Sequence, residues 1–164
     1  MTEMQNIIEQ LRRAVYADPW HGPSILEVLD GVPAATAAAH PVAGAHSIWE
    51  LMLHITAWTR AVEARTRSVV TELSGDENFP PVRETTEPAW AAAVADLKKA
   101  HEELFATLHT LTDADLPAPA PNRPYDRAFL LHGLPQHHAY HSGQMALLKK
   151  AAASQAGKET ATVA

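Results

Sequence analysis

Ser47-Ile-Trp-Glu-Leu-Met-Leu-His-Ile-Thr-Ala-Trp-Thr-Arg-Ala-Val62 opens with Ser47 and, three residues later, Glu50. That is the sequence of a capping box, in which each side chain satisfies the other residue's free backbone N–H at a helix start. Behind it Ile48, Leu51, Ile55, Trp58 and Val62 recur at three- and four-residue steps, so one face of the helix is apolar and must be covered. The pattern carries this second helix to about Val70, and what lies on either side of it supplies the cover.

Towards the N-terminus, Met4, Ile7, Ile8, Leu11 and Val15 predict a helix over Thr2 to Tyr16. Between these two helices, Pro19, Gly22, Pro23, Gly31 and Pro33 punctuate a connector from Ala17 to Pro41, with room for a short helix at Ser24 to Leu29 and a turn at Ala34 to Ala38. Beyond the second helix, Gly75, Asp76, Asn78, Pro80 and Pro81 make Leu73 to Glu87 a loop long enough for a crossover. A third helix follows from Thr86 as N-cap to about Leu111, with Pro88 in its first turn and Trp90, Val94, Leu97, His101, Leu104 and Leu108 as its buried stripe. Pro117, Pro119, Pro121 and Pro124 keep Thr112 to Pro124 from being helical throughout. The last helix is predicted from Asp126 as N-cap to about Ala153, with Phe129, Leu130, Leu134, Met145 and Leu148 facing inward and Pro135 implying a kink or a late start. The expected product is one all-α domain over residues 1–153, a four-helix bundle with crossover connections and a short extra helix between helices one and two, followed by a flexible tail over residues 154–164.

The chain of 164 residues has a net charge of −6 and no long run of Lys and Arg, so a phosphate backbone is repelled and no nucleic-acid partner is expected. No apolar stretch reaches the roughly 20 residues that span a bilayer, and Met1 to Gln10 lacks the basic start and apolar centre of a signal peptide; a cytoplasmic location with no membrane partner is the expectation. With no cysteine, disulfides, thiolate nucleophiles and Cys-ligated zinc are excluded, and any metal must be held by nitrogen and oxygen.

Ten histidines invite that last possibility. His21 and His40 lie in the connector and read as loop residues; His101, His109 and His132 stand singly on helices three and four, where a satisfied or surface imidazole is the ordinary reading. In His137-His138-Ala139-Tyr140-His141 the spacing differs. Residues four apart share a helix face with Cβ atoms about 6 Å apart, so His137 and His141 can converge on one cation; His138 and His141, three apart, would also serve, and periodicity does not choose between the pairs. A third ligand must come from another helix. His54 is the best candidate, since it interrupts the strongest apolar stripe, where an unpartnered imidazole loses its water without compensation. His46 lies about 12 Å earlier along the axis and cannot share an ion with it.

Two stretches resemble the DinB/YfiT-like superfamily of metal-dependent hydrolases, four-helix proteins with a three-histidine metal site: His46-Ser-Ile-Trp-Glu-Leu-Met-Leu-His54-Ile-Thr-Ala-Trp58, and Gly133-Leu-Pro-Gln-His137-His-Ala-Tyr-His141-Ser-Gly-Gln144. Trp20-His-Gly22-Pro-Ser24 is similar to a W-x-G-x-S element of part of that family. The resemblance implies His54, His137 and His141 as the metal ligands and leaves His138 out. It also marks a departure, because the position after the first histidine of the last motif is often Asp or Asn in relatives and is His138 here.

An ion on three neutral imidazoles keeps its double charge and an open position, the arrangement of catalytic sites, where a bound water loses a proton near neutral pH. Zinc or nickel is expected, with iron or copper also suited to nitrogen ligands. Hydrolysis by metal-activated water is the first functional reading. The candidates for a base are Glu50 and His138, Glu50 having its capping role as the simpler explanation. Some relatives resemble thiol-dependent transferases or isomerases, which would make a low-molecular-weight thiol of the mycothiol, bacillithiol or glutathione type the partner of a small-molecule substrate. A non-catalytic metal-binding helical homodimer is the third reading. Tyr140 is expected to pack on a neighbouring helix or an interface, and Trp58 to be core wall.

Overall fold

In the computed structural model, which describes the backbone of residues 1–162 and the side chains of residues 1–155, helices start where the caps place them. The first, α1 (Glu3–Val15), sits behind Thr2, whose hydroxyl accepts the Gln5 N–H while the Gln5 side chain takes the Thr2 N–H. Asp113, from a loop far along the chain, accepts the Glu3 and Met4 N–H groups at 3.1 and 2.8 Å, so free donors at the helix end are used to fix tertiary structure. Gly22, at φ 127°, turns the chain into Ser24, which caps α2 (Ile25–Leu29) in a second reciprocal box with Glu27. The expected turn beyond it is a further short helix, α3 (Ala34–Ala38); its N-cap, Pro33, offers no side-chain acceptor, and Glu87 supplies one to the Ala34 N–H at 2.8 Å.

Helix α4 (Ile48–Thr66) has the Ser47–Glu50 box, with 3.1 and 2.8 Å bonds. It stops before the expected Val70 because Ser68 takes φ 64°: the Ser68 N–H returns to the Arg65 carbonyl and the Val69 N–H to that of Ala64, the double closure that ends a helix. Helix α5 (Glu87–Leu108) follows Thr86, ending before the expected Leu111, and α6 (Arg127–Thr162) follows Asp126, whose carboxylate accepts the Phe129 N–H at 2.8 Å. There is no late start, since α6 runs from Arg127 through Pro135. It also passes Ala153: the tail expected over 154–164 is helical through Thr162, and residues 163–164 lie outside the described part.

Helices α1, α4, α5 and α6 pack together, with no strand among the described residues. Among these four, α4 packs on α5 and on α6, and α1 packs on α6 and more lightly on α5, which closes a ring with α1 diagonal to α4 and α5 diagonal to α6. The chain therefore crosses the bundle twice, from α1 to α4 through the connector that holds α2 and α3 and from α5 to α6 through the proline-rich loop, whereas the Leu73 to Glu87 loop joins the neighbours α4 and α5; the arrangement is no up-and-down meander. Ile7, Leu11, Met52, Ile55, Leu97, Leu104, Leu131 and Met145 fill the centre. Phe129 departs from its expected inward position: it is 66% exposed, Leu130 takes the core place beside it, and the Phe129 ring leans on Tyr125 at 5.0 Å between centroids. Among the described residues no helix is long and apolar enough to cross a membrane.

Candidate metal centre

The apolar stripe of α4 carries His54 into the wall between α4 and α6, where it is buried, and α6 presents His137 and His141 to it. One ring nitrogen from each of the three lies within 4.8 Å of the others. The Nε2 of His137 is 3.1 Å from the Nε2 of His54 and 3.1 Å from the Nε2 of His141.

Their outer nitrogens fix which lone pairs face inward. His54 Nδ1 is 2.7 Å from the Asn78 carbonyl, which can only accept, so this nitrogen carries the proton and the Nε2 is bare. His141 Nδ1 is 2.6 Å from Gln144 Oε1, with the Gln144 amide nitrogen turned to the Tyr140 hydroxyl at 3.3 Å, and the same reasoning bares its Nε2. Two lone pairs therefore point at His137 Nε2, whose single proton could serve one of them at most. A divalent cation at the convergence resolves the conflict: metal–nitrogen bonds of about 2.0–2.1 Å in a tetrahedral shell place ligand nitrogens about 3.3 Å apart, close to the 3.1 Å found from His137 to each of the other two. Burial, first of all, pushes all three imidazoles below their ordinary pKa, His137 to about 3 with His141 and His54 adding to the effect, so each is neutral at physiological pH as a ligand must be.

The loop after α4 completes the mounting. Phe79 stacks on the His54 ring at 4.1 Å and on that of His46 at 4.0 Å, and Trp58 Nε1 donates to the Asn78 side chain at 2.8 Å. Arg65, buried and lying over the Trp58 ring at 5.3 Å, donates to the Thr71 carbonyl and holds the loop from behind. On the other side Ser142 donates to the Pro23 carbonyl at 2.9 Å, tying α6 to the Trp20–Ser24 connector. Above the three histidines opens a cavity of about 520 Å³.

A family model described as the DinB superfamily matches residues 19–145, which contain all three histidines. The chain belongs to the DinB superfamily. Comparison with the curated proteins gives no match, and neither does comparison with the solved structures. Membership fixes the family and the helical fold but no particular activity of this DinB chain.

The structure brings His54, His137 and His141 together and leaves the other candidates elsewhere. His138 points through the bundle to α5, its Nε2 2.8 Å from that of His101. Glu50 is engaged by Ser47, by His40 at 3.1 Å and by His46 at 3.3 Å. His109 bonds the Phe105 carbonyl and His132 meets Glu3. Trp58 is half-buried and lines the cavity, and Tyr140, expected on a neighbouring helix or an interface, is 65% exposed in this chain and lines the cavity too. Asn78, Phe79 and the role of Gln144 were not anticipated; the available signal was an aromatic residue, Phe79, set between Asn78 and two prolines in a loop otherwise polar.

Because Gln144 orients His141 and raises its basicity, Gln144→Leu should weaken metal binding about 10- to 100-fold while leaving the helix intact. Competition against a chromogenic chelator measures this, and equal affinity would mean that Gln144 does not act on the centre.

Proposed function

We propose that this protein binds one divalent metal ion, zinc or nickel, through His54, His137 and His141, and that it is a metal-dependent hydrolase. The observation that carries the reading is the fixed orientation of His54 and His141, whose bare nitrogens meet at His137 with no proton arrangement that satisfies all three. An ion held there would supply Lewis-acid polarisation and a water of lowered pKa. The chain's own residues hold the three imidazoles neutral, orient two of them through Asn78 and Gln144, and surround the open side with apolar walls that limit bulk water.

Among the described residues the cavity walls carry no Asp, Glu or Lys that could serve as a separate base. That favours, as a second reading, a thiol-dependent transfer, since a low-molecular-weight thiol brings its own ionisable nucleophile. Protein purified without a histidine tag should hold close to one divalent ion per chain by elemental analysis, and should turn over esters or amides in a chelator-sensitive manner. Silence until a thiol is added would select the second reading. Full metal occupancy with no turnover of either kind would leave a metal-binding protein without catalysis.

A cytoplasmic homodimer belongs to the same proposal. Leu147, 68% exposed on α6, is apolar surface available for pairing. Sedimentation at micromolar concentration should give twice the chain mass, and a monomer throughout would remove this part.

A further inference from the structure

The cavity over the three histidines is large for a water site and of the size that takes a small organic molecule. Besides the histidines, Leu130, Leu134, Trp58, Tyr125, Phe129 and Tyr140 line it. Of the polar groups in the lining, the Nε2 atoms of His54, His137 and His141 meet one another, and Asn78 is engaged by His54 and Trp58. None of the lining residues is Asp, Glu, Lys or Arg. A carboxylate, phosphate or ammonium on the body of a ligand would therefore lose water here without gaining a charged partner. An apolar ring would meet the flat faces and edges of four aromatic side chains.

We infer that the site takes a ligand with one metal-seeking polar head and a neutral, apolar, preferably aromatic body. The inference rests on the metal reading for its head and on the cavity walls for its body. Specificity for the body comes from the depth left open at Gly133. This residue lines the cavity near the start of α6, and a Cβ built there meets no atom within 4 Å, so the space is open to the ligand.

Hydroxamates separate head from body. Acetohydroxamate carries the head alone, benzohydroxamate adds a phenyl ring, and 4-carboxybenzohydroxamate adds a charge to that ring. Titrated into cobalt-loaded protein and followed by visible absorption of the metal, benzohydroxamate should bind about 10-fold or more tighter than acetohydroxamate, in line with burial of the ring. The added carboxylate should cancel the gain. Gly133→Leu, whose Cβ meets no neighbour within 4 Å, should abolish the preference for phenyl while metal content is retained. Equal affinities of the first two probes, or a phenyl preference that survives Gly133→Leu, would overturn the inference while the metal reading stands. If no cobalt spectrum forms, the metal reading fails by itself. The walls are then tested on metal-free protein with neutral 4-phenylbutanol against 4-phenylbutyrate, followed by the Trp58 indole and Gly133 amide resonances. Shifts with the alcohol and none with the acid support the cavity assignment; equal responses defeat it.

Discussion

His137→Ala should reduce bound divalent metal from about one ion per chain to background. His137 is the hub of the three, its Nε2 touching both partners at 3.1 Å, and no other nitrogen or carboxylate in the described residues joins the group to replace it. Loss of an orienting residue alone costs about 10- to 100-fold in affinity, and loss of a ligand should exceed that. The fold itself should persist, because the truncated side chain borders an open cavity and leaves no sealed void. The two effects are read separately: thermal unfolding without metal should be similar to that of the unsubstituted protein, whereas the stabilisation on adding metal should disappear. That stabilisation is about 4 kcal/mol where free metal stands a thousandfold above its Kd. His54→Ala and His141→Ala should behave alike, and His101→Ala, whose ring faces the bundle interior, should keep its metal. Undiminished metal in His137→Ala, measured by plasma emission after dialysis, would remove the site.

How far the sequence disclosed this centre depends on which forces are local. The starts of the three longer helices were legible, because Ser47, Thr86 and Asp126 act on N–H groups within a few residues of themselves, whereas the caps Thr2 and Ser24 were not picked out. His54 was legible for a related reason: an imidazole in the middle of an apolar stripe signals a partner even when the partner is unseen. Helix ends were less so. Ser68 in the left-handed region closes α4, and nothing in the residue type demands that conformation. The choice between His137 and His138 was not available from spacing, since neighbours on a helix differ by about 100° and both fell on the inner half of α6. Packing of α6 against α4 and α1 sets its rotation, sending one ring to His54 and the next through the core to His101. Asn78 and Phe79 were hidden because loop residues carry no periodicity, and their role is defined only once the loop folds back over α4.

The second histidine pair should make the protein sensitive to acid. His101 Nδ1 is 2.8 Å from the Leu97 carbonyl and so carries the proton; its Nε2 is bare and accepts the His138 Nε2–H at 2.8 Å. This leaves His138 Nδ1 bare, buried and without a partner. A proton added to His101 Nε2 would face the His138 N–H, with the Thr59 hydroxyl oxygen at 3.3 Å as its other neighbour, and one added to His138 would find no acceptor. Burial accordingly holds His101 down to about 4 and His138 well below its usual value, with the neighbouring histidines adding to the latter. Above about pH 6.5 folded and unfolded chains are both neutral at these positions and stability does not depend on pH through them. Below it the unfolded chain takes up protons that the folded one refuses, so stability falls as pH drops from 6.5 towards 4, by about 1.4 kcal/mol per unit for each histidine. Between pH 7.5 and 5 the pair should cost the metal-free protein on the order of 4 kcal/mol, a large part of the 5–15 kcal/mol that holds a domain together. His101→Leu with His138→Leu replaces both partners by apolar groups and should be close to neutral at pH 7.5, while His101→Leu alone strands the His138 N–H and should cost about 1–3 kcal/mol. Urea unfolding in the presence of chelator at pH 7.5, 6 and 5 should show the double variant overtaking the unsubstituted protein as pH falls. If the two lines stay parallel, the pair is protonated or hydrated in the folded state and this account of its burial is wrong.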